Sequence, residues 1–173
     1  MSKSIIQFII LFIVLVLVQA IICNHICIFN IAVPIIFIYF ILRLPITLSV
    51  SWVLTLSFLL GLSVDIFSDT QGMNTLACTL LGVMRKPIFS LYFQREDDMS
   101  DPIPSIKSLG TGIFIKYLFT ITVVYCTLIF FIQAFTFFDF QLTFFRIIGS
   151  SILTFVLLLG IDSLTNASRE KRL

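Results

Sequence analysis

Apolar residues fill this chain in long blocks separated by short polar stretches. A helix needs about 20 mainly apolar residues to cross the hydrocarbon of a bilayer. Residues 4–23, 26–42, 46–64, 70–90, 113–135 and 142–162 read as such helices. The pattern predicts an all-α fold, a polytopic membrane bundle of six transmembrane helices forming a single domain over residues 1–173. The second block is the shortest and contains Pro34, which kinks a helix or ends its first turn, and Arg43 and Pro45 close it. The fourth is the least apolar, with Asn74, Thr75 and Thr79, and is expected to be enclosed by protein rather than lipid. Residues 94–112 carry Arg95, Glu96, Asp97, Asp98, Asp101, Pro102 and Pro104, which are loop signals.

Composition strengthens the membrane reading. Hydrophobic side chains make up 59% of the 173 residues and charged ones 12%, against about 45–50% apolar in soluble domains. The mean hydropathy is +1.13. Lys3 followed by Ile5–Val18 imitates a signal peptide, but Val18, Gln19, Ala20, Ile21 and Ile22 lack a small-residue cleavage pattern, so the segment is expected to stay as an uncleaved first helix. The net charge of +2 is dispersed, with no basic stripe interleaved with aromatics, which argues against nucleic acid as a partner.

The distribution of charge gives an orientation. With both termini cytoplasmic, the inner side holds Lys3, Arg43, Arg85, Lys86, Arg95, Lys107, Lys116, Arg169, Lys171 and Arg172, and the outer side only Arg146. This is the positive-inside bias. It puts Asp65 and Asp69 at an outer turn, His25 and Asp139 in the other two, and the 94–112 loop in the cytoplasm. Phe135, Phe137, Phe138, Phe140, Phe144 and Phe145 crowd the last outer turn, either as interfacial anchors or as a surface for a partner helix.

Asp65 and Asp69 are the conspicuous chemistry, because ionisable groups at membrane depth are costly unless paired, hydrated or at a boundary. Ser57, Gly61 and Asp65 lie four apart on one helix face. Thr75, Cys78, Thr79 and Gly82 form a second small-residue stripe, and small faces let membrane helices approach closely. The expectation is a tight hairpin with an acidic turn. Asp69, ahead of Thr70 and Gly72, suits the N-cap of the fourth helix. Asp65 ends the third helix, where the dipole disfavours an anion, and needs other donors: Asn74, a buried water or turn N–H groups. Its role stands open between a structural clamp and a functional contact.

Catalysis is not expected. The chain lacks the Gly-x-Gly-Asp partner of an intramembrane aspartyl protease and the loop serine with helical His of a rhomboid-type enzyme. It has Asp65, Asp69 and Gly72 but no further Asp before Asp97, unlike the CDP-alcohol phosphotransferases, and no nucleophile and base pair. Cys23, His25 and Cys27 sit together but lack a fourth ligand and its supporting shell. With Cys78 and Cys126 they are too scattered for a disulfide framework, so neither metal nor cofactor is expected.

Pro34, Arg43 and Pro45, then Phe58, Gly61, Leu62 and Asp65, then Gly72, Arg85 and Pro87 occur in an order that resembles the MreD family of rod shape-determining membrane proteins. The specific marks span about residues 26–90, and Gly-Leu-x-x-Asp with a glycine seven residues later is the most distinctive. Pro34 is followed by Ile35, where many members have an acidic residue. The resemblance implies a non-enzymatic scaffold of the cell-wall elongation complex in the bacterial inner membrane. It would bind MreC directly and act through it with MreB, RodA and its penicillin-binding transpeptidase in peptidoglycan synthesis. Gly61, Asp65, Asp69, Gly72, Pro34, Arg43 and Arg85 would be its motif or partner-contact residues. The resemblance also implies a fold similar to the S components of energy-coupling-factor vitamin transporters, which supplies the alternative function. Such components dock by small residues on the first helix; here that helix is Ile, Leu, Phe and Val, with Ala20 near its end.

Overall fold

The computed structural model describes residues 2–23, 33–93, 103–134 and 140–170, and all regular elements among them are helical. In chain order they are α1 (Ser2–Val18), continued by a π-helical turn (Gln19–Cys23), α2 (Ile38–Arg43), α3 (Val50–Ser68), α4 (Met73–Tyr92), α5 (Ile106–Leu109), α6 (Thr111–Ala134) and α7 (Phe140–Glu170). Residues 50–68, 111–133 and 143–163 are each long and apolar enough to cross a membrane. The short α5 falls inside the stretch expected to be loop, where Ser105 and Ser108 close a reciprocal capping box around its single turn.

The chain reverses between α3 and α4 through two left-handed residues. Asp69 (φ 52°, ψ 38°) ends α3, returning its N–H to the Asp65 carbonyl, and Gly72 (φ 78°, ψ 7°) starts α4. Gly72 has open space where a Cβ would stand, so its backbone conformation, not crowding, favours glycine there. α3 then packs along α4, α4 along α6, and α6 along α7, with α1 lying on α2 and α3.

The centre of this arrangement is α2. Phe37 and every residue of α2 are at most 4% exposed. Edge-on ring contacts tie this stretch to its surroundings, Phe37 on Tyr125 at 5.6 Å and Phe40 on Phe12 at 5.3 Å between centroids. Large apolar side chains also point outward, among them Ile66 on α3, Leu91 on α4, Phe131 on α6 and Phe145 on α7, each more than half exposed. Helices that are apolar on their outer as well as their inner faces suit lipid surroundings.

One expected helix is not formed as read. Within 26–42, residues 26–32 lie outside the described residues, 33–36 are non-helical, and α-helix begins only at Ile38, running to Arg43. The reason is visible in the hydrogen bonds. Pro34 has no N–H, and side chains of other helices replace the helical partners of its neighbours. Ser150 Oγ accepts from Val33 N (3.1 Å), Thr154 Oγ1 from Ile35 N (3.1 Å) and Gln19 Oε1 from Ile36 N (2.9 Å). Gln19 Nε2 donates to the Pro34 carbonyl (3.1 Å). The amide of Gln19, 3% exposed in the π-helical turn, therefore pairs with the chain as a neighbouring strand would. Buried peptide groups need partners of some kind, and here three helix-borne side chains supply them.

Candidate functional site

The α3–α4 hairpin gathers most of the residues singled out in the sequence, and its closest approach is at Gly61. A Cβ there would lie 2.5 Å from the Thr75 Cα and 2.7 Å from the Asn74 carbonyl oxygen, so the backbone of α4 occupies the space of the missing side chain. Gly82 does the same for Ser57, whose Oγ would stand 2.8 Å from an added Cβ. The two small stripes thus face each other, as their spacing predicted.

Asp65, four residues beyond Gly61 on the same face, is 5% exposed and meets the first turn of α4. Its Oδ1 accepts from Thr70 Oγ1 (2.5 Å), Asn74 N (3.1 Å) and Asn74 Nδ2 (3.0 Å). Its Oδ2 accepts from Thr75 N (2.8 Å) and Thr75 Oγ1 (2.5 Å). A carboxylate offers about four lone-pair positions, so these donors saturate it. Two of them are free N–H groups at the start of α4, where the helix dipole favours an anion. Tyr125 extends the network by donating to Asn74 Oδ1 (3.0 Å), which joins α6 to the hairpin.

Asp65 finds Asn74 among its donors, as expected, but the cap expected of Asp69 is not formed. Asp65, not Asp69, caps α4, reaching it from the end of the preceding helix. Asp69 is the exposed C-cap residue of α3, and the N-cap position of α4 is Gly72. Reading along the chain assigns the cap to the nearest upstream acid, whereas the tight reversal folds the more distant one over the helix start. The signal was the set of donors at Thr70, Asn74 and Thr75, all aimed at one acceptor.

At the opposite end of the hairpin, Arg85 of α4 is 5% exposed and donates to the carbonyls of Leu44 and, at 3.4 Å, Pro45. It fastens the segment that leaves α2. Arg43, expected at the boundary that closes the second block, is instead 4% exposed. Its guanidinium pairs with Asp162 Oδ1 at 3.2 Å, and its Nε donates to Tyr39 Oη (2.8 Å), which in turn donates to the same Asp162 oxygen (2.9 Å). Asp162, in α7, is fully buried. Sequence reasoning missed both Tyr39 and Asp162. A lone acid inside the last apolar block was the available sign, since such a group calls for a partner.

Pro34 belongs to neither joint; it sits in the non-helical stretch between α1 and α7. The side chain of Cys23 and residues His25, Cys27 and Asp139 lie outside what the structure describes. Phe144 and Phe145 of the phenylalanine cluster before and within α7 are exposed and meet edge-on at 6.5 Å.

No family model, curated protein or solved structure matches the chain. Fold and site define a class by themselves: the described residues are all-helical, include three helices able to cross a membrane, and are clamped by a saturated carboxylate and a buried ion pair.

Proposed function

We propose that the chain is an MreD-like, non-enzymatic scaffold of the bacterial cell-wall elongation complex, a six-span protein of the inner membrane with both termini cytoplasmic. Its direct partner is MreC, and through MreC it works with MreB, RodA and the penicillin-binding transpeptidase to maintain rod shape. The observation that carries this reading is where the motif residues fall. Gly61, Asp65 and Gly72 build one end of the hairpin, Arg85 holds Pro45 at its other end, and Arg43 ties α2 to α7. Residues of a motif that serve as joints fit a protein whose task is to keep a fixed shape for others to bind.

The outward face of α1 supports a scaffold over an S component. It presents Ile6, Ile9, Ile10, Ile13, Val14 and Leu17, all exposed and all large, where docking by small residues would need a flat, close-approach surface. Purification of the tagged chain in mild detergent, with identification of bound proteins and small molecules, tests the proposal. Co-purification of MreC is expected. Recovery of ATPase subunits and a vitamin in its place would overturn it.

A further inference from the structure

The first helix is fixed to the rest of the molecule at one end. Gln19, in the π-helical turn that continues α1, makes two hydrogen bonds to the stretch from Pro34 to Ile36, and just before it Leu15 and Val16 are buried. From Ile6 to Val14 no residue of α1 is buried. Phe8 and Phe12 meet Phe40 of α2 edge-on at 6.5 and 5.3 Å. Towards α3 the same part of α1 is parted by an open groove of about 770 Å³. Ile9 lines it from α1, and Leu48, Trp52, Leu56 and Leu59 line it from the start of α3.

The forces at the two ends of α1 differ in kind. At the turn, an amide side chain holds backbone groups that have no water to fall back on in hydrocarbon. Along the groove both walls are apolar, and lipid tails are as apolar as Leu, so bringing the walls together gains nothing from the hydrophobic effect. Close packing in lipid is driven by small residues and cross-helix hydrogen bonds, and the large side chains of these walls offer neither. A π-helical turn interrupts the α-helical ladder, and such turns are where helices bend.

We infer that α1 is a hinged arm, which turns about Gln19 and carries its first three turns between the open position and one closed against the start of α3. Gln19 keeps its grip on Pro34 and Ile36 throughout. The neighbouring elements have no such freedom, because Asp65 and Arg85 hold both ends of the α3–α4 hairpin. The swing opens and shuts a lateral apolar slot on the lipid side of the molecule. It needs a bilayer and no partner protein, and it rests on the proposed reading of α1 as a membrane-spanning helix.

Double electron–electron resonance on the full chain in lipid vesicles tests it, with one spin label at Val83 of α4 and the second at Ile6, Ile13 or Ile21, all four exposed. Labels attached through an introduced ketone-bearing residue leave the native cysteines in place. Ile6 and Ile13 stand roughly 20 and 9 Å from Gln19 along the helix. The spread of distances beyond that at Ile21 is therefore expected to be about twice as large at Ile6 as at Ile13. Leu56→Trp fills the groove and is expected to remove the excess at both positions. A spread at Ile13 as narrow as at Ile21, the result of mere fraying at the helix end, overturns the hinge. So does an excess that Leu56→Trp leaves unchanged. Relaxation of the same labels by oxygen and by a water-soluble nickel chelate separates the two readings: faster relaxation by nickel at Ile13 overturns the membrane span, whereas faster relaxation by oxygen with a narrow spread overturns the hinge alone.

Discussion

At the residue scale, the two aspartates of the hairpin turn do opposite things. Asp65 receives five hydrogen bonds while Asp69 holds only a backbone position in the left-handed region. Asp65→Asn replaces an acceptor oxygen with a donor facing Thr70, Asn74 or Thr75, and a backbone N–H cannot turn to accept. A loss of about 2–3 kcal/mol is expected, the scale of charge-assisted bonds and an unsatisfied buried donor, measured as a lower melting temperature in detergent. Asp69→Gly removes the left-handed cost of a side chain and should be neutral or slightly stabilising. If Asp69→Gly proves the more damaging of the two, the assignment of the cap is wrong. Gly61→Ala forces α3 and α4 apart and is expected to cost about 1–3 kcal/mol as overpacking, checked by the same melting measurement. The small stripes were legible from four-residue spacing alone. The cap was not, because which acid reaches a helix start depends on the path of the turn.

At the scale of elements, α3, α4, α6 and α7 overlap the segments read from apolar block length, with boundaries displaced by one to four residues except at the end of α7. The second block failed because Val33 to Leu42 is nearly uniform hydrocarbon and carries no period to separate helix from extended chain. What decided it was Pro34 together with acceptors on α1 and α7, invisible to any local window. The ion pair of Arg43 and Asp162 ties α2 to α7 in the same non-local way. Asp162→Asn and Arg43→Gln each strand a buried charge and are expected to cost about 3–5 kcal/mol. The double variant Arg43→Met with Asp162→Leu removes both charges and should melt well above either single variant. A double variant no better than the singles would show that the pair does more than cancel charge.

For the whole molecule, the long apolar helices were plain from composition, and the structure adds that Arg43 and Arg85 are held at the end of the bundle opposite Asp65. In the orientation proposed above, that end is cytoplasmic. A cysteine introduced at Ser100 should therefore resist an impermeant maleimide applied to intact cells and react once the membrane is opened. Labelling of intact cells would reverse the proposed orientation.

The stretch at Val33–Ile36 also fixes an order of events. The N–H groups of Val33 and Ile35 wait for Ser150 and Thr154, more than a hundred residues later in the chain. Until α7 has been made and delivered, those peptide groups have no permanent partners, so a ribosome-bound or truncated chain ending before Phe140 carries exposed polar backbone that an insertion factor or water must shelter. Synthesis of the last helix is thus the step that completes the hydrogen bonding at the middle of the protein.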